Sequence, residues 1–345
     1  MRMAKAKHVH TLTINKVGKN SIKYTYDFSN TKGITLLLSQ TGFSISVHLT
    51  KIYDRKEMLC GDSYLFPDAI KKALLLYLIK YGKALLIQSI TTKIDDEEDT
   101  EVFGKKAKPP IYSMINGELP RKIPKIFSTD TVFNYLLKTP KSKYDKRISA
   151  LFALLCSKSK EYETERFIYL WMSFNGMYGF LSDFTKEFEK TKKRISENEQ
   201  IKHLQKYLQC VGCDIVRQDD KMSIANNVVA ILKDVQVEKF SKENISKGLS
   251  EKIVLVLKRS TGEKYNLTAY GYLLTQFSYY FRCKIIHGSK PIFLFSYTDD
   301  NELHSIKIIN DLLEEFIDNN LALWFDDKYV NENIISKIKD ILTKK

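Results

Sequence analysis

Arg282 and His287, in the stretch Phe277-Ser-Tyr-Tyr-Phe-Arg-Cys-Lys-Ile-Ile-His-Gly-Ser-Lys-Pro291, are types that can act together on a phosphodiester. A guanidinium forks onto phosphate oxygens, and an imidazole exchanges protons near neutrality. RNA brings its own nucleophile: the 2′-hydroxyl attacks the adjacent phosphorus once a base takes its proton, while an acid protonates the leaving 5′-oxygen. Two proton transfers want two such groups, and one chain offers a single well-placed histidine. An isologous dimer bringing two copies of each residue into one cleft supplies both, with Arg282 stabilising charge on the non-bridging oxygens. The expected products are a 2′,3′-cyclic phosphate and a 5′-hydroxyl, made without divalent metal. Lys284, Ser289 and Lys290 stand close enough in sequence to contact flanking phosphates. The competing reading is an arginine paired with a surface acid and a histidine favoured by a helix C-terminus.

These residues need an element to hold them. Tyr270, Leu274, Phe277 and Phe281 recur at helical spacing, and Gly288 and Pro291 end the helix. Residues five apart on a regular helix point about 140° apart, so convergence needs the reach of Arg282, a distorted helix end or a second chain. From Ser128 onward helical periodicity dominates, with helices expected near 130–138, 144–158, 161–182, 187–210, 222–233, 242–258, 267–287, 300–320 and 331–343. The third carries Phe167, Trp171, Phe174, Tyr178 and Leu181 at alternating steps of four and three, the seam of a bundle helix. Asn175 lies beside that seam, facing either a buried polar partner or the Arg282/His287 helix. Leu303, Ile306, Ile309, Leu313, Phe316 and Ile317 form another apolar stripe, read as core or dimer interface.

Arg282-Cys-Lys-Ile-Ile-His287-Gly matches the Arg-x4-His pattern of HEPN-superfamily domains. Trp171-Met-Ser-Phe-Asn175-Gly-Met-Tyr178 resembles the tryptophan-to-asparagine helix of HEPN proteins in prokaryotic abortive-infection and antiviral defence systems. The resemblance covers roughly residues 145–320. It implies a helical bundle, a homodimer, and a metal-independent endoribonuclease with Arg282 and His287 catalytic, acting in antiviral defence or as a toxin. Many active members carry Asn or another polar residue directly after the arginine, where this chain has Cys283. Position 289 is Ser rather than the Tyr of members regulated by nucleotide transfer.

The 345-residue chain carries a net charge of +14. Residues 1–94 hold 15 Lys+Arg against 5 Asp+Glu, residues 95–126 hold 6 against 7, and residues 127–345 hold 34 against 29. A basic module beside a nearly balanced one suits a polyanion held by the first and acted on by the second; a solvated lysine-rich surface is the plainer alternative. Within 1–94, strands are expected at Val9–Ile14, at 22–28, at Ile34–Leu38 and at 43–49, with Gly18-Lys-Asn20 as a hairpin turn between the first two. A helix over 68–81 and a closing strand over 84–90 complete a small α+β sheet module. Tyr24 and Tyr26 with lysines 16, 19, 23 and 51 form either a stacking and basic surface for single-stranded nucleic acid or part of the core. A protein or phage-derived activator is the alternative partner of this module. The acidic run Asp95–Glu101 and the proline-containing stretch to residue 126 read as a linker, with the acids able to shield the basic module.

The expected class is therefore an α+β N-terminal domain (1–94), a linker (95–126) and a mainly α-helical HEPN-like bundle (127–345). The non-catalytic alternative is a dimerisation or RNA-binding scaffold. Five scattered cysteines, no apolar signal core after Met1 and no apolar run long enough for a membrane predict a cytoplasmic protein with reduced thiols. His8 and His10 share a strand face without a third local metal ligand, and Cys210-Val-Gly-Cys213 with His203 lacks a fourth. There is no Gly-x4-Gly-Lys-Ser/Thr loop, no Gly-x-Gly-x-x-Gly and no Glu-x-Lys triplet, so no cofactor or metal is expected.

Overall fold

The computed structural model describes residues 7–28, 31–60, 65–107, 109, 119–138, 146–188, 274–275, 278–286 and 300–336. It divides into two compact units, Met1–Tyr144 and Asp145–Lys345. The first is an antiparallel sheet with helices and the second, among the described residues, is helical, giving an α+β chain.

Period-two alternation builds the first unit. Strands β1 (His8–Ile14), β2 (Ile22–Phe28), β3 (Thr31–Leu38), β4 (Phe43–Leu49), β5 (Ile87–Ile94) and β6 (Glu97–Ala107) form one sheet in the order β2-β3-β4-β1-β5-β6, every neighbour antiparallel. Leu12, Ile14, Ile34, Leu36, Leu38, Ile45 and Val47 fall on the buried side, together with Tyr24 and Tyr26. The opposite side carries hydroxyls that bond across strands, Thr11 to Ser46 at 3.0 Å and Thr13 to Ser44 at 3.2 Å. After the short helix α1 (Arg55–Cys60), helix α2 (Leu65–Tyr81) contributes Phe66, Ala73, Leu76 and Tyr77 to the core. Helix α3 (Asp130–Lys138) meets β2 where Phe133 stands edge-on to Tyr24, at 5.6 Å between centroids. Lys72 on α2 pairs with Asp68 at 2.9 Å and donates to the Leu137 carbonyl at 2.9 Å, satisfying one of the carbonyls left open at the end of α3.

Three features differ from the sequence-based expectation. Gly18-Lys-Asn20 is not a hairpin turn: β1 pairs with β4 and β5, so the chain crosses to the far edge to begin β2, and the Gly18 amide donates to Ser39 Oγ at 2.9 Å. The acidic run is not a linker. Asp95 and Asp96 make the two-residue turn between β5 and β6, and Glu97–Glu101 pair with residues 90–94. Asp95 takes a left-handed φ of 51°, a region Asp enters more readily than most non-glycine residues. Here Oδ1 accepts from the Val9 amide at 2.8 Å and Oδ2 meets His8 Nδ1 at 2.8 Å. Lastly, α3 belongs to the first unit, which moves the boundary to 144/145 and gives that unit 24 Lys+Arg against 13 Asp+Glu.

The second unit is built on α4 (Lys146–Lys158), α5 (Glu163–Phe188), α6 (Ser278–Ile286) and α7 (Asp300–Asn320). The seam Phe167, Trp171, Phe174, Tyr178 and Leu181 is buried throughout. Phe174 packs edge-on against Phe316 of α7 at 5.7 Å. Helix α4 crosses the other side of α5 closely: a Cβ at Gly176 would stand 2.9 Å from both the Ala150 Cβ and the Lys146 carbonyl. Beyond α7, Trp324 is buried and its carbonyl accepts from Arg147 at 2.9 Å.

Candidate functional site

The helix carrying Arg282 is seated by aromatic contacts. Phe281 is fully buried and meets Phe167 edge-on at 6.4 Å, Tyr279 lies 6.2 Å from Trp171, and Ile285 is buried one turn beyond Phe281. Arg282, one position round from Phe281, is only partly buried, with its guanidinium 5.6 Å from the centre of the Tyr279 ring. That cation–π contact limits the rotamers of a long side chain. The α5 and α6 segments singled out in the sequence therefore pack on one another. Asn175 is exposed on α5, and so is not the buried structural group its place beside the seam allowed. Lys284 falls on α6. His287, Ser289, Lys290 and the Cys210/Cys213/His203 group lie outside the described residues.

One cluster was not anticipated. Lys158 at the end of α4 is almost fully buried, with Nζ 2.5 Å from Glu314 Oε1 and 2.6 Å from Asp318 Oδ2. Arg166 on α5, equally buried, reaches Glu314, Glu163 at 3.0 Å and Asp311 at 2.9 Å. Buried Asn310 donates to the Glu163 carboxylate at 2.8 Å and to its carbonyl at 2.7 Å. Two cations thus hold α7 against α4 and α5 through its three carboxylates, Asp311, Glu314 and Asp318, while Glu163 pairs with Arg166 within α5. Burial alone would raise the Glu314 carboxyl, but Lys158 and Arg166 hold it below its ordinary value. For Asp318 burial wins, pushing its carboxyl up to about 6 despite Lys158. The available signal was the i,i+4 pair Glu314/Asp318 with Asp311 one turn before it, which in sequence reads as a solvated acidic face.

In the first unit, the proposed stacking surface is absent: Tyr24 and Tyr26 are 8% and 4% exposed, on the opposite side of β2 from Lys23. His8 and His10 hold no metal arrangement, and among the described residues no cluster of His, Cys, Asp and Glu suits one. His10 is fully buried, with Nδ1 3.2 Å from the His8 carbonyl and Nε2 accepting from the Tyr53 amide at 3.0 Å. Both ring nitrogens are thus occupied by a neutral imidazole protonated at Nδ1, and burial lowers its pKa. No described helix is long and apolar enough to cross a membrane.

Comparison with known proteins adds no relative. The chain matches no family model, no curated protein and no solved structure.

Proposed function

We propose that the chain is a metal-independent endoribonuclease of HEPN type. In this reading the second unit is a HEPN-like bundle, and a homodimer joins two Arg282/His287 pairs at one scissile linkage. The observation that carries it is the seating of α6 on the Trp171 helix with Arg282 left at the margin of the packed aromatic seam. A base fixed by packing is what transition-state charge stabilisation requires of such a side chain. His287 acts as base in one protomer and as acid in its partner. Lys284, Ser289, Lys290 and exposed Asn175 contact the RNA on either side. Cleavage of RNA serves antiviral defence or toxicity, with the basic first unit holding the polyanion or an activator.

The test is cleavage of end-labelled RNA by purified protein in EDTA. Wild type cuts; Arg282→Ala slows the reaction by roughly two to three orders of magnitude, the scale of losing one oxyanion-stabilising donor. Full activity in Arg282→Ala, or loss of wild-type activity on chelation, rules this site out.

A further inference from the structure

Strand β6 ends the sheet, and its outer edge has no neighbour among the described strands. Ten of its eleven residues are exposed, all but Phe103, and Val102 is 74% exposed. A long open edge is a template for another strand, and natural proteins blunt such edges with charge. Here the charges are segregated instead. Glu97, Glu98, Asp99 and Glu101 fill the first half of the strand, and Lys105 and Lys106 close the second.

We infer that β6 pairs antiparallel with β6 of a second copy about a two-fold axis at Val102, joining two six-stranded sheets edge to edge. That register sets Glu98 opposite Lys106 and Asp99 opposite Lys105, each twice by symmetry, with Val102 facing its own counterpart. Neighbouring registers are poorer: an axis at Glu101 opposes two carboxylates and retains only Glu97 opposite Lys105 within the strand, and an axis at Phe103 retains only Glu101 opposite Lys105. Directly opposed side chains in antiparallel strands stand about 4.5–5.5 Å apart, close enough for opposite charges to attract and like charges to exclude a register. Arg55 already braces the acidic half from within the unit, meeting Asp99 at 2.8 Å as well as Glu101. Both carboxylates remain more than half exposed, so they stay open to a lysine across the new edge. The pairing with β5 loses register between Ser89 and Ile87, which leaves Phe103–Lys106 without regular partners on the inner side. The second copy gives this segment a strand to pair with. The interface is isologous and stands independently of the ribonuclease reading.

The test uses the full chain and two charge variants at exposed positions, Glu98→Lys/Asp99→Lys and Lys105→Glu/Lys106→Glu. By sedimentation at low salt, wild type associates and each variant does so at least about tenfold more weakly, because four attractive oppositions become repulsive. Mixed in equal amounts, the two variants form a heterodimer, one edge basic at positions 98, 99, 105 and 106 and the other acidic at all four. The fourfold variant combining all these changes recovers self-association. Register is read separately: on mild oxidation Val102→Cys gives a disulfide-linked dimer absent from wild type, since opposed Cα atoms lie within disulfide reach, whereas Thr100→Cys does not. A monomeric wild type, association unaltered by either variant, or variants that fail to pair when mixed would each overturn the inference.

Discussion

Replacing Glu314 by glutamine should unseat two buried cations at once. Lys158 and Arg166 both lean on this carboxylate, the lysine at 2.5 Å, and neither has solvent to turn to. The carboxyl is held below its ordinary value in the folded state, so the fold favours its charge, and Glu314→Gln gives up that preference while leaving two cations buried. Deleting one partner of a buried pair costs ~3–5 kcal/mol. Asp318 touches the same lysine at 2.6 Å, yet burial raises its carboxyl from 3.8 to about 6, so the folded state disfavours its charge and Asp318→Asn should not destabilise the unit at pH 7. Two substitutions of the same kind, one turn apart on one helix, thus differ in kind: one removes a charge the fold favours and the other a charge it disfavours. The chain's two tryptophans, Trp171 and Trp324, are both buried in the second unit. Urea denaturation followed by tryptophan fluorescence therefore reports that unit. Equal destabilisation by the two variants, or a larger loss from Asp318→Asn, would refute the reasoning.

Further outcomes follow from packing and titration. Gly176→Ala puts a methyl 2.9 Å from Ala150 and should cost roughly 1–3 kcal/mol on the same fluorescence assay, with no effect if α4 and α5 separate freely. His10 has a lowered pKa in the folded state, so the unfolded chain binds more protons below pH 6.5. Its contribution is present above that pH and lost as pH falls, and protection of β1 amides in hydrogen exchange should drop between pH 7 and 5. Asp318 has the opposite sign. Its folded pKa is raised from 3.8 to about 6, so the second unit gains stability as pH falls through 6 towards 4, and Asp318→Asn removes that gain.

Elements with a buried face were legible in the sequence. The alternation in β1 to β4, the helix over 130–138 and the Phe167-to-Leu181 seam all announce a side that must leave water, and each forms with nearly the expected bounds. Strand β6 buries almost nothing, so Glu97–Glu101 gave no apolar period and resembled a solvated connector. The buried ions were hidden for a related reason: a residue type states its charge, and only packing shows that Lys158 and Arg166 meet acids inside the bundle. The order of β1 and β2 was misjudged because Gly18 and Asn20 fit a tight turn, while the pairing of β1 with β4 depends on contacts distant in sequence. Of the proposed site, aromatic spacing shows that α5 and α6 each bury a face, while their packing on one another depends on contacts that spacing alone leaves open.

The most direct measurement captures the ends of RNA from cells expressing wild type and His287→Ala. The account predicts new 2′,3′-cyclic phosphate and 5′-hydroxyl ends with wild type and none with the variant. New ends bearing 3′-hydroxyl and 5′-phosphate, or ends undiminished by loss of His287, would contradict it.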